Sequence, residues 1–145
     1  MILEEILSSW RADCNIDRTE LGEEALKIPS LHSKYYNIYC VERLALRKLE
    51  QDRKALQRTK TEYFNGTLSQ EDLRDEGWDP FPMKLLKADV PLYIDADKDV
   101  ISLNLKIAYA KEKVELLDSI IKTLVGRGFN IKAAIDWTKF TNGVI

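Results

Sequence analysis

The sequence predicts an all-α chain of two long helices plus short flanking helices. Six glycines and four prolines in 145 residues leave long stretches that nothing interrupts. Apolar residues from Leu31 to Tyr63 recur on one narrow helical stripe. From Val100 to Leu124 they follow an unbroken 3,4 alternation. A chain of this length fits one domain with a real core. Its 45% hydrophobic and 32% charged residues describe amphipathic helix rather than a disordered segment.

The first twelve residues read as a short amphipathic helix with Ile2, Leu3, Ile6, Leu7 and Trp10 on one side. A break at Cys14–Asp17 follows. Asp17 or Thr19 then caps a second short helix ending at Pro29, because the residue before a proline is pushed out of helical geometry. From Ser30 to about Phe64 nothing breaks helix. Leu31, Ile38, Ala45, Leu49, Leu56 and Tyr63 fall within roughly 40° of one another at about 100° per residue. Asn65-Gly66 is a helix stop signal.

Residues 67–94 change character. An acidic run followed by Gly77, Pro80 and Pro82 reads as a loop with at most one helical turn, and Val90–Ile94 as a brief extended stretch. Asp95, Asp97 and Asp99 then complement the N-terminus of the second long helix, where the dipole favours negative charge. Val100, Leu103, Ile107, Ala110, Val114, Leu117, Ile121 and Leu124 form an a/d seam. Gly126 and Gly128 are expected to end it, ahead of a last short helix from Asn130 to Phe140. The division is thus 1–66, an acidic connector over 67–94, and 95–145, within a single helical domain.

Ile101, Leu105, Leu116 and Ile120 widen the apolar face of the second long helix beyond a/d. One chain of this size offers little to cover both sides, so self-association is expected. The residues expected to carry it are Val114, Leu117, Ile120, Ile121, Leu124, Phe129, Ile131 and Ile135.

Catalytic and metal inventories are poor. Cys14 and Cys40 lack CxxC spacing and His32 is the only histidine, so no zinc or iron–sulfur set can be assembled. The cysteines read as reduced thiols, since the N-terminus carries acidic residues where a signal peptide needs basic ones. No apolar run approaches the ~20 residues of a membrane span, and the chain reads as cytoplasmic. There is no GxxxxGK[ST], GxGxxG or GxSxG. The DADKD run at 95–99 lacks the glycine and the glutamate of a calcium loop. No metal, no cofactor and no enzymatic activity are expected.

Net charge is −2, but its distribution is uneven. Residues 43–60 hold seven basic side chains against two acidic; residues 70–99 hold nine acidic against four basic. Arg43, Arg47, Lys54 and Arg58 fall within about 60° of one another, nearly opposite the apolar stripe. Such a stripe can neutralise phosphates and gain affinity by counterion release. Lys60 lies about 160° from Arg58, beside the apolar stripe, where its stem can pack and its ammonium snorkel outward.

The run Arg58-Thr59-Lys60-Thr61-Glu62-Tyr63-Phe64-Asn65-Gly66 resembles the basic-x-basic-x-acidic-Tyr-aromatic-x-Gly motif of the UvsY family, recombination mediators of T4-type phages. ADKDV at 96–100 and RGFNIK at 127–132, followed by Phe140 and Gly143, support the resemblance, and NIDRTEL at 15–21 matches more loosely. The resemblance implies a non-enzymatic helical protein that binds single-stranded DNA as a ring-like homo-oligomer, expected to be a heptamer. It further implies partnership with a phage recombinase and a single-strand-binding protein in the cytoplasm of an infected bacterium. The family's two DNA-contacting basic residues fall on Arg58 and Lys60, with the usual lysine-then-arginine order swapped. Its assembly region falls on residues 100–140. With Arg43, Arg47 and Lys54 these give the expected DNA-binding set. The alternative is a helical oligomeric scaffold or adaptor that binds only protein partners, its basic stripe docking an acidic one.

Overall fold

The computed structural model describes residues 1–143. Five helices account for most of them: α1 (Leu3–Asp13), α2 (Leu21–Asn65), α3 (Gln70–Glu76), α4 (Val90–Asp95) and α5 (Lys98–Thr141). No strand is present among the described residues. The chain is all-α, with α2 and α5 spanning 45 and 44 residues.

Three expected breaks do not occur. Pro29 lies inside α2, which runs through it from Leu21. A proline within a helix costs roughly 3 kcal/mol. Here buried Glu24 and half-buried Ile28 and Leu31 hold the flanking turns in place by tertiary contact. Gly126 and Gly128 likewise lie inside α5. Each costs about 1 kcal/mol relative to alanine, while Leu124, Arg127 and Ile131 are buried on either side of them. A Cβ at Gly128 would stand 3.9 Å from the Ile28 side chain, so this glycine faces α2 at close range. The stretch read as extended at Val90–Ile94 is helical instead. Pro91 occupies a first-turn position, where its missing N–H costs nothing, and Val90 and Ile94 are buried one turn apart.

The connector holds a second helix that composition concealed. Ser69 accepts a hydrogen bond from the Asp72 amide at 3.1 Å and caps α3, and Gly77 closes it at φ +72°. Gly66, at φ +74°, ends α2 as expected, with the Thr67 amide donating back to the Glu62 carbonyl at 2.9 Å.

The chain divides into two compact units, Met1–Leu44 with Ala110–Ile145, and Ala45–Tyr109. In the first, Ile6, Tyr35, Leu117, Ile120 and Leu124 form a core flanked by Trp10, Leu31, Ile38 and Tyr39. In the second, Phe64, Val90, Ile94 and Val100 pack with Leu56, Tyr63, Phe81 and Leu85. The a/d seam therefore meets elements of its own chain. That corrects the expectation that Leu117, Ile120 and Leu124 await other copies: α1 and the first half of α2 cover them. Ile131 is buried as well, Val114, Ile121 and Ile135 are half-buried, and only Phe129 of that set stands exposed.

Buried charges tie the first unit together. Arg127 donates to the carbonyls of Asp13 and Asn15, both at 2.9 Å, and pairs with Glu24 at 3.4 Å. It thereby caps the C-terminal end of α1 from α5. The Tyr35 hydroxyl donates to Asp13 at 2.7 Å, and burial with this carboxylate contact pushes its pKa to about 12. Glu42 accepts from Lys113 at 2.7 Å and from the Met1 ammonium at 3.2 Å.

Burial acts to raise the Glu42 pKa, but the hydrogen bonds from Lys113 and the Met1 ammonium outweigh it and leave the carboxyl below its ordinary 4.5. A depressed folded-state value contributes stability above the unfolded pKa and loses it as pH falls through the folded one. Glu42→Gln should cost on the order of 3 kcal/mol at neutral pH, because Lys113 keeps a charge without its carboxylate. The gap between variant and parent should narrow below about pH 4.5, as urea titrations across pH 7 to 2 would record. A gap that stays constant to pH 2 would contradict this role.

Candidate nucleic-acid interface

Within the second unit, the α2 segment from Ala45 to Asn65 is amphipathic by charge. Leu49 and Leu56 turn inward, while Arg47, Lys48, Lys54 and Arg58 are exposed. Arg47, Lys54 and Arg58 lie within about 40° on the helical wheel, one and two turns apart. No ion pair to Arg47, Lys48 or Lys54 exists among the described residues. Arg58, its side chain 84% exposed, meets Glu62 at 3.4 Å. Such an exposed i,i+4 contact is weak, worth about 0.3–0.5 kcal/mol. These guanidinium and ammonium groups are therefore available to solvent anions.

The other expected residues sit differently. Arg43, in the first unit, is half-buried, its guanidinium 5.0 Å from the Tyr39 ring centroid and its Nε buried without a hydrogen-bond partner. Arg53, outside the expected set, is spent on neutral partners, donating to Asn104 and Gln57, each at 2.8 Å.

Lys60 is 4% exposed. Its ammonium lies 3.0 Å from Asp97, 2.9 Å from Asp99 and 3.8 Å from the Trp78 ring centroid. Burial acts to lower its pKa, and the hydrogen bonds to Asp99 and Asp97 override it, so the group titrates above an ordinary lysine. Asp97 works twice, since its second oxygen caps α5 by accepting from the amides of Asp99 and Val100. Arg58 and Lys60 are thus not brought together: one faces water and the other an internal cage. Sequence reasoning placed Asp97 and Asp99 at the helix start correctly, whereas Asp95 ends α4, and it carried no signal that Lys60, 37 residues before Asp97, would meet them.

The aromatic residues after Lys60 are packed against each other. Tyr63, Phe64, Trp78, Phe81 and Tyr93 form a chain of edge-to-face and tilted contacts with centroids 5.0–5.8 Å apart. The Tyr63 hydroxyl donates to the Asp79 carbonyl at 2.7 Å, which fixes the ring. Beside Arg58, a cleft of about 450 Å³ is lined by Glu62, Asp72, Asp75 and Glu76. The acidic helix α3 thus faces the last cation of the stripe. No group of three or more histidine, cysteine or acidic residues among the described residues is placed to hold a metal ion. No described helix is long and apolar enough to cross a membrane.

A family model described as "Recombination, repair and ssDNA binding protein UvsY" matches residues 9–144. The chain belongs to the UvsY family. It is 26% identical over 144 residues to the recombination protein uvsY of Enterobacteria phage T4, covering 99% of each chain. Two crystal structures of the bacteriophage T4 recombination mediator protein UvsY share its fold. The lattice type II structure superimposes with a TM-score of 0.85 at 23% identity, over 98% of both chains. The lattice type IV structure gives 0.84 over 97% of this chain and 99% of the other. The UvsY motif at 58–66 thus occupies the end of α2, with its first basic residue outward, its second inward, and its aromatic pair in the core.

The difference in placement has a stability signature. Arg58→Ala should stay within about 0.5 kcal/mol of the parent, as expected of an exposed position. Phe64→Ala should lose about 3–5 kcal/mol through the cavity it leaves among Tyr63, Phe81 and Tyr93. Guanidinium unfolding of both variants checks this, and equal losses would contradict the assignment.

Proposed function

We propose that this chain binds single-stranded DNA without sequence specificity, as a homo-oligomeric ring, and helps a phage recombinase load onto DNA covered by single-strand-binding protein. The observation that carries the reading is the row Arg47, Lys54 and Arg58: exposed, nearly free of ion pairs, and borne by a UvsY-family chain. Recombination mediation is what its T4 relative is named for. The phage setting of that relative implies the cytoplasm of an infected bacterium as the place of action. Because the neighbouring aromatics are locked in the core, affinity comes from phosphate neutralisation rather than base stacking.

Three cations in one row per subunit are few, and a ring multiplies them. Contacts too weak alone add through effective concentration when one strand follows several subunits. Support for assembly comes from the last third of α5, where Val125, Phe129, Trp137 and Phe140 are all exposed. Positions 125, 129, 137 and 140 share one side of the helix, and Trp137 and Phe140 stack at 5.8 Å. A row of large apolar side chains in water is a recognised mark of a protein interface. We assign the assembly surface to Phe129 and its neighbours, outside the a/d seam, with the heptamer as the expected ring.

Binding to oligo-dT should weaken steeply with salt, and Arg47→Ala/Lys54→Ala/Arg58→Ala should lower the log–log slope by about 0.7 for each phosphate no longer neutralised. A salt response that is flat, or a triple variant with the parent's slope, would rule out phosphate binding here and leave the protein-only scaffold.

Phe129→Asp/Trp137→Asp should yield a smaller solution mass by light scattering and DNA binding at least tenfold weaker, as multivalency is lost. A parent chain already monomeric at micromolar concentration would remove the ring.

A further inference from the structure

We propose that Lys60 is a positioning residue of this interface: caged by Asp97, Asp99 and Trp78, it holds the end of α2 in place and acts on DNA through Arg58, without touching phosphate. The proposal rests on the single-stranded DNA reading above.

An ammonium has three donors in a compact head. Two of them meet carboxylates at 2.9 and 3.0 Å, and the ring of Trp78 covers the same nitrogen at 3.8 Å, with Tyr63 at 5.8 Å. A phosphate could reach this nitrogen only by displacing one of those groups. It would also have to approach two aspartates, which repel it. Cation–π contact is strongest where water is excluded, and here the lysine is 4% exposed. The cage joins three separate stretches: the last turns of α2, the loop after α3 that carries Trp78, and the capped start of α5 through Asp97.

Arg58 stands just before these turns. Helix ends fray unless something holds them. With the cage intact, residues 58–65 are fixed as helix, and Arg58 is presented without an ordering cost at the moment of binding. With the cage opened, the same phosphate contact forms only after the helix end is ordered, so affinity falls while the number of phosphates engaged stays the same.

Lys60→Met, which keeps the stem and removes the charge, tests this in the full-length chain. Hydrogen exchange read by peptide should rise over residues 58–97 and stay at parent levels over 110–131. Oligo-dT affinity should fall about three- to tenfold with the salt slope unchanged, whereas Arg58→Ala lowers that slope. Lys60→Arg, able to serve both carboxylates, should restore protection and affinity together. A slope that drops for Lys60→Met as it does for Arg58→Ala, or exchange that does not rise, overturns the proposal.

Should Lys60→Met exchange freely throughout, Asp99→Asn decides, because that carboxylate lies at the exposed edge of the cage. Positioning expects a partial rise in exchange over 58–97 and no change in slope; a freed phosphate ligand would steepen the slope. If the parent itself fails to bind oligo-dT, the DNA reading falls, and the exchange pattern alone still decides whether Lys60 fastens the end of α2.

Discussion

A lysine ammonium taken out of water must find its counter-charges inside the fold, and in the second unit that requirement organises everything near it. Lys60 enters the packed side of α2 with the apolar stripe, so Asp97 and Asp99 must come to it. Desolvating such a group costs several kcal/mol, repaid only by good geometry and saturated donors. Asp97 reaches the lysine with one oxygen while capping α5 with the other. The position where α5 begins is thereby tied to the position of Lys60. The stretch between them must fold back within this constraint, bringing Trp78 over the ammonium and Phe81 and Tyr93 onto Phe64.

Surface and interior then take different chemical tasks along the same helix. Inward positions carry leucines, an aromatic end and one neutralised charge. Outward positions carry cations that meet little competition within the chain. Arg58 is the exception, since Glu62 pairs with it and α3 lines the adjoining cleft with carboxylates. A phosphate arriving there trades against acids already present, which moderates its hold. On the proposed reading, in which one strand runs across several copies, moderate contacts suffice, because avidity supplies the strength and each contact remains reversible.

Much of this architecture was legible in the residues. The a/d spacing from Val100 to Leu124 and the Leu31–Tyr63 stripe marked the two long helices, and Asn65-Gly66 marked where α2 stops. The helix breakers misled because local cost is not the whole balance. Pro29, Gly126 and Gly128 each oppose helix by an amount that neighbouring burial exceeds, and burial belongs to the tertiary structure. The helix α3 could have been found, since Ser69 stands three residues before Asp72 and Gly77 follows the acidic run, the pattern of a capped helix. The partners of Lys60 could not. Their pairing depends on how the chain turns between α2 and α5, and no local spacing encodes it. Nor could the sequence tell that Leu117 and Leu124 of the a/d seam would be covered by α1 and α2, while Phe129, Trp137 and Phe140 stay exposed.

The spacing of the two basic residues in the UvsY motif explains why they part company. Two positions apart on a helix means a rotation of about 200°, so one face cannot carry both. They could converge on a single phosphate only if the helix ended before Lys60. It continues to Asn65, held there by the Gly66 turn and by the packing of Phe64. A regular helix therefore forces a division: whichever residue lies over the apolar stripe goes inward, and the phase of Leu49, Leu56 and Tyr63 assigns that place to position 60. Lysine suits it, since a compact ammonium can be enclosed by two carboxylates and a ring. Arginine suits position 58, where a delocalised guanidinium stays charged in water and can grip phosphate with two donors. The geometry of the helix thus decides which of the two positions is enclosed and which faces water, whichever basic residue the chain places at each.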